Sequence, residues 1–174
     1  MGLLKGLDEV LTADLLYVLR AMGHGDMLCI CDCNFPAATV ASKTTSGRHV
    51  QLPGVDLPRA LEAVCSLLPL DYFCEGPPVR VMGPQAGVSL PFLGREVLDA
   101  SVAALARASG RPGLKSTDSA EGSAEGSVAS VERFAFYAEA AKCFAVVQTS
   151  ERRPYGNVIL VKGVVGPDGK DLMP

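Results

Sequence analysis

The sequence predicts an α/β fold with helices packed on a mixed sheet, and two observations lead there. Helical and strand patterns alternate along most of the 174 residues, the order of elements that builds layered α/β units. The stretch "MLCICD" (27–32) is also nearly continuous in apolar character, as a strand covered on both faces must be.

With 48% hydrophobic and 20% charged residues, the chain can bury a full core, and its length fits one domain over residues 1–174. A formal net charge of -3 offers no basic surface for phosphate backbones, so no nucleic-acid partner is expected. No uninterrupted apolar run reaches the roughly 18 residues of a spanning helix, and "MGLLKGLDEV" carries acids where a secretion signal would stay apolar. A soluble cytoplasmic protein with no membrane partner is expected. The Met-Gly start does not complete a myristoylation pattern, because position 6 is Gly6. Six cysteines in a chain with ample core are expected to be free thiols.

In chain order, Thr12 caps a helix whose Leu15, Leu16, Leu19 and Met22 form one apolar face, with Gly23 as its left-handed stop. His24 follows just past that helix. The strand "MLCICD" places Asp32 at its carboxyl end. In "VDLPRALEAVCSLL", Asp56 or Leu57 precedes Pro58, and Leu61, Val64, Cys65 and Leu68 share a face until Pro69 ends the helix. Asp71 and Tyr72 then fall in a loop. "PVRVM" is a short strand, and "FLGREVLDASVAALARASG" a helix stopped by Gly110.

Residues from about 110 to 127 are Ser, Gly, Ala and acids, with "SAEG" repeated and no apolar period. They predict a flexible insertion within the domain. "SVERF" and "FAVVQT" are strands around the helix "FYAEAAK", and "NVILVKGVV" is the last strand. Tyr155, Gly156 and Asn157 lie at its mouth. Ligands of open α/β sheets sit beyond the carboxyl ends of strands, which places Asp32 at such a rim. His24 and Asp71, each in a loop beside an element end, are expected to converge on it.

Cys29, Cys31 and Cys33 are spaced by two, so a strand points them to one face about 7 Å apart, unlike the C-x(2–4)-C knuckles of zinc sites. They are expected to be core-filling thiols, with no metal and no redox pair. His24, exposed between Gly23 and Gly25, is the acid–base candidate, since imidazole can give and take a proton near its ordinary pKa of about 6.5. It also fits as a residue that simply caps a helix end. Asp32 and Asp71 also fit as turn formers, "YGN" as an ordinary turn, and Tyr137 as packing beside Phe134. His49, in a polar loop, is taken as a surface residue.

Longer blocks are more specific. "LKGLDEVLTADLLYVLRAMGHGD" followed by "D-x-NFPA", then "LLPLD", "VERFAFYAEAAKCFAVVQT" and "YGNVILVKGVV", closely resemble the L-fucose mutarotase family, relatives of the ribose pyranase group, in the same order. The resemblance spans the chain except for the insertion and residues 83 to 95. It implies a three-layer α/β/α fold of the RbsD type and an isomerase that interconverts the α and β anomers of a free monosaccharide, L-fucose foremost, without cofactor or metal. It also implies a ring-shaped homo-oligomer, a decamer or octamer, with sites near subunit contacts. Carried over by position, His24 is the proton donor, Asp32 binds sugar, and Asp71 or Tyr137 supplies the second proton-transfer group. Tyr137, Tyr155 and Asn157 also bind substrate, and Met82 and Arg133 line the pocket. The alternatives left open are a sugar-binding protein without catalysis and a pyranase acting on ribose or a galactose-like sugar.

Overall fold

The computed structural model describes residues 2–73, 75–110, 114–117 and 127–172. Its elements are α1 (Ala13–Ala21), β1 (Met27–Cys31), α2 (Ala37–Ala41), β2 (Arg48–Leu52), α3 (Leu57–Cys65) and β3 (Val79–Gly83), followed by α4 (Phe92–Ala108), β4 (Lys115–Thr117), β5 (Ser127–Glu132), α5 (Arg133–Ala140), β6 (Ala145–Thr149) and β7 (Val158–Val161). The strands form a mixed sheet in the order β2-β6-β1-β7-β3-β5-β4. All pairings among them are parallel except those of β7, which runs against both β1 and β3.

Alternation along each strand divides the core into two layers. Leu28, Ile30, Val79, Val81, Val147, Val158 and Leu160 face α1, α3 and α4, and make the larger cluster. Cys29, Cys31, Met82, Val146 and Ile159 face α2 and α5, with Phe35, Phe136 and Cys143. Helices therefore cover both faces, giving the three-layer α/β/α arrangement. Each fully buried Leu in the larger cluster contributes about 1.5–3 kcal/mol, so that cluster dominates the fold's stability. Cys29, Cys31 and Cys143 are small fillers of the thinner layer.

Local sequence accounts for the helix starts. Thr12 accepts from the Leu15 N–H at 3.2 Å, and Asp56 from the Arg59 N–H at 2.9 Å with Pro58 in the first turn. The end of α1 differs from expectation: Met22 turns extended (φ -64, ψ 140) and breaks the helix, and Gly25 rather than Gly23 takes the left-handed conformation, at φ 82.

Three elements were not expected. The segment "AATVA" forms α2, and "RHVQL" forms β2 at the sheet's edge, where only Val50 and Leu52 are buried. His49 thus lies on a strand, bonded through Nε2 to Gln148 Oε1 at 3.0 Å. Within the stretch expected to be a flexible insertion, Lys115–Thr117 pairs in parallel with β5 as β4, while 111–113 and 118–126 lie outside the described residues. Arg133, expected in a strand, is the first residue of α5, because Glu132 caps that helix through Oε2 to the Phe134 and Ala135 N–H groups. Cys33 lies past the end of β1 and is exposed rather than buried with its neighbours. Among the described residues, no helix is long and apolar enough to cross a membrane.

Chain direction fixes what each rim of the sheet carries. One rim gathers the carboxyl ends of β1, β3, β5 and β6 with the amino end of β7. The other gathers the loops before β1 and β3 with the residues after β7.

Candidate active site in two halves

At the carboxyl rim, Asp32 follows β1 and Asn157 precedes β7, and the two side chains lock together. Asn157 Nδ2 donates to Asp32 Oδ2 at 2.9 Å, while its Oδ1 accepts from the Asp32 backbone N–H at 3.1 Å. The Asn34 N–H donates to Asp32 Oδ1 at 2.9 Å, and Asn157 Nδ2 also reaches Met82 Sδ at 3.5 Å. Both side chains are buried. Burial raises the Asp32 carboxyl above its ordinary value, the hydrogen bonds from Asn34 and Asn157 offset part of the rise, and the nearby Glu151 charge adds to it.

The loop from Glu151 to Asn157 is braced by charge. Arg153 donates to both oxygens of Glu151, at 2.9 and 2.7 Å, and to Glu96 Oε1 at 3.1 Å. Glu151 is only 3% exposed. Burial alone would raise its carboxyl, but the bonds and charge of Arg153 outweigh that and hold it below its ordinary value. Gly156 is required by close approach, since a Cβ there would come within 2.8 Å of Glu151 Cγ. Tyr155 takes a left-handed backbone at φ 67, costly for a bulky residue and found mainly where the surroundings enforce it.

Beside Asp32 and Asn157 lies a cavity of about 210 Å³. Asp32, Met82, Arg133, Tyr137, Tyr155 and Asn157 all face it, with Asn34, Phe35 and Pro154 completing the wall. Tyr137 projects from α5 and lies 5.3 Å, ring centroid to centroid, from Phe35. The cavity is smaller than the roughly 300–1,000 Å³ that drug-sized ligands occupy, so it suits a single small ring. Carboxylate, amide, guanidinium and phenol groups around aromatic walls are the donors and acceptors a polyol needs.

His24 and Asp71 are elsewhere, which corrects the expectation that they converge on the rim of Asp32. The imidazole Nε2 lies 3.1 Å from Asp71 Oδ2, with the His24 side chain 53% exposed and that of Asp71 3% exposed. Asp71 Oδ1 accepts from the Phe73 N–H at 3.0 Å, and the Asp71 N–H donates to Val161 O at 3.0 Å. The pair therefore sits at the amino end of β1 and the carboxyl end of antiparallel β7, at the opposite rim. Five strand residues span about 16 Å, too far for any side chain to bridge.

Each half is chemically coherent. A buried carboxylate that accepts from Nε2–H orients the ring and leaves Nδ1 of the neutral imidazole as a base. The carboxyl-rim cavity can hold hydroxyl groups. Among the described residues, no three His, Cys, Asp or Glu side chains gather as a metal would require. Sequence reasoning missed the Glu151–Arg153–Glu96 brace and the wall residues Asn34, Phe35 and Pro154. The blocks "NFPA" and "PYGN" contain those wall residues and "ERR" contains two of the brace, but nothing in the sequence points to Glu96.

The chain resembles known proteins over most of its length. The profile of the RbsD / FucU transport protein family matches residues 5–165. A fucose mutarotase of Danio rerio is 37% identical over 171 residues, covering 97% of this chain and 98% of that protein. The crystal structure of a fucose mutarotase from Streptococcus pneumoniae in complex with L-fucose superposes with a TM-score of 0.74 at 26% identity, over 94% of this chain and all of the other. A crystal structure described as a putative sugar binding protein superposes with a TM-score of 0.79 at 36% identity, over 95% of this chain and 99% of the other.

Proposed function

Since this chain belongs to the RbsD / FucU transport protein family, we propose that it is an isomerase interconverting the α and β anomers of L-fucose by general acid–base opening and closing of the pyranose ring. In the opening step the anomeric hydroxyl loses its proton, the bond between the anomeric carbon and the ring oxygen breaks, and that oxygen gains a proton. Rotation presents the other face of the carbonyl, and the reverse transfers close the ring. No oxidant, metal or cofactor enters this balance. The alternative of a pyranase acting on ribose or a galactose-like sugar is the same chemistry on another ring.

The observation that carries the reading is the His24 imidazole, half-exposed and held 3.1 Å from a buried carboxylate. His24 moves one proton, with Asp71 orienting it, and Tyr137 moves the other from the wall of the cavity. Asp32 and Asn157 hold sugar hydroxyls, Tyr155 covers an apolar face of the ring, and Met82 and Arg133 shape the pocket.

Because the two halves lie at opposite rims, the working site is assembled between copies, the His24–Asp71 pair of one closing over the cavity of another. A ring-shaped decamer or octamer provides such contacts repeatedly. The buried thiols of Cys29, Cys31 and Cys143 suit a reducing, cytoplasmic compartment.

Saturation-transfer NMR on equilibrated L-fucose tests the activity. The protein accelerates anomer exchange, and His24→Ala removes about 10²–10⁴-fold of that acceleration. Sugar binding without exchange would leave a non-catalytic binding protein, and a larger effect on ribose or galactose would move the substrate.

A further inference from the structure

The turn that carries His24 is held from one residue outside the site. Lys162, immediately after β7, brackets the turn with its main chain: the Gly25 N–H donates to Lys162 O at 2.8 Å, and the Lys162 N–H donates to Asp26 O at 2.9 Å. Next to it, Val161 O takes the Asp71 N–H at 3.0 Å, and the Gly163 N–H donates to Pro69 O at 2.8 Å. Three consecutive residues at one strand end, Val161, Lys162 and Gly163, thus touch both segments of the acid–base pair.

The Lys162 side chain goes further. Its Nζ donates to Leu19 O at 2.9 Å and to Met22 O at 2.6 Å, carbonyls at the end of α1 that have no partner within the helix. Met22 is the important one. Its extended backbone turns the carbonyl out of the helix, and the Met22–Gly23 peptide is the rigid plane that leads through Gly23 into the Gly23–His24 peptide, whose carbonyl accepts from the Asp26 N–H at 3.2 Å. The N–H of that same peptide, on Gly23, donates to Asp26 Oδ2 at 2.7 Å. One peptide plane is therefore gripped at both its polar atoms, by an ammonium on one side and a carboxylate on the other. Burial lowers the Lys162 ammonium from its ordinary value and Arg20 adds to this, with Asp26 opposing. A partly desolvated cation held on two main-chain oxygens is a specific arrangement for what would otherwise be an ordinary helix end.

We propose that Lys162 is a positioning residue whose ammonium, with Asp26, clamps the Met22–Gly23 peptide and so fixes the direction in which His24 presents its imidazole. The catalytic consequence rests on the mutarotase reading. The clamp itself does not.

The test compares Lys162→Met, which keeps the length and loses the donors, with Lys162→Arg, which keeps donors and charge. Misplacing a catalytic group by about 1 Å costs up to about 10²-fold, so Lys162→Met lowers the maximal exchange rate by about 10- to 100-fold. Fucose stoichiometry and KM stay near wild type, and Lys162→Arg restores most of the rate. Asp26→Ala, at a half-buried residue, loosens the same peptide from its other side and gives the same pattern should Lys162→Met not fold. Thr12→Ala weakens α1 at its far end and serves as the control: it lowers Tm without lowering the rate. Equal rate loss in Thr12→Ala and Lys162→Met at matched Tm loss would overturn the proposal, as would a wild-type rate in Lys162→Met or, where that variant does not fold, in Asp26→Ala. The imidazole NMR signals of His24, recorded without sugar, shift in Lys162→Met or Asp26→Ala if the clamp sets the ring, and unchanged signals refute it. That reading stands even if the wild-type protein shows no anomer exchange, a result that would sink the mutarotase reading alone.

Discussion

His24 and Asp32 stand at opposite ends of one strand: β1 begins at Met27, three residues after the imidazole, and ends at Cys31, one residue before the carboxylate. The strand is buried and paired on both sides, with β6 and β7, so it cannot shorten or fold over. Residues that the proposed reaction needs together are separated by a strand paired along both edges.

Changes at the amino rim act on turnover and spare the cavity. Asp71→Asn removes the carboxylate that orients His24 and lowers the exchange rate by about 10- to 100-fold, while fucose affinity, measured by titration calorimetry, changes little. Parallel loss of affinity and rate would place Asp71 on the sugar instead.

Gly163→Ala tests the same rim through the backbone. A Cβ at Gly163 would come within 2.5 Å of Leu70 O and 3.0 Å of the Asp71 Cα, so the segment carrying Asp71 has to shift. The expected outcome is slower exchange with unchanged cavity binding; an unaffected rate would show that the pair tolerates displacement.

At the carboxyl rim the effect falls on binding. Asn157→Leu leaves the Asp32 N–H and Oδ2 without the partners they now share, which costs about 1–3 kcal/mol of stability for an unpaired buried group. Urea unfolding reads that loss, and calorimetry should show fucose affinity falling with it. A variant that unfolds earlier but binds fucose normally would remove Asn157 from the sugar's partners.

The Arg153 brace gives a pH dependence with a defined sign. Glu151 is held below its ordinary value of 4.5, so its stabilisation is complete above that value and is lost as pH falls through the lowered folded value. Arg153→Met leaves the buried carboxylate without its cation and costs about 2–3 kcal/mol near pH 7, below the roughly 3–5 kcal/mol of a fully buried pair because Arg153 is partly exposed. Burial then raises the Glu151 carboxyl, and the deficit narrows on acidification as that group protonates. Urea titrations at pH 7 and pH 4 check this, and a deficit independent of pH would contradict it.

Much of the fold is legible in the sequence, for local reasons. The helices α1 and α3 carry caps and apolar stripes, α4 is a long helical pattern stopped by Gly110, and β1 is a short, nearly continuous apolar run of the kind a covered strand needs. By contrast, "RHVQL" contributes only two buried side chains, and "AATVA" is too short to show a period. The candidate residues are legible too, through the ordered blocks that resemble the mutarotase family. The separation of His24 from Asp32 is legible as well, since β1 lies between them. What joins each of them is not: β7 running against its neighbours brings Asn157 to Asp32 and the residues after β7 to the other rim, and nothing in "VILV" encodes a direction. Lys162 and the Glu96–Arg153 contact escape for a related reason, since each joins segments far apart in the chain.

Subunit complementation addresses the proposed sharing of one site between copies most directly. His24→Ala and Asp32→Ala chains, each inactive alone, are unfolded together, refolded as mixed oligomers, and assayed for fucose anomer exchange by saturation-transfer NMR. If each site takes His24 from one copy and Asp32 from another, random mixing rebuilds intact sites and restores about a quarter of the wild-type rate. If both residues serve one site within a single chain, every site keeps a defect, and the mixture stays as inactive as its parts.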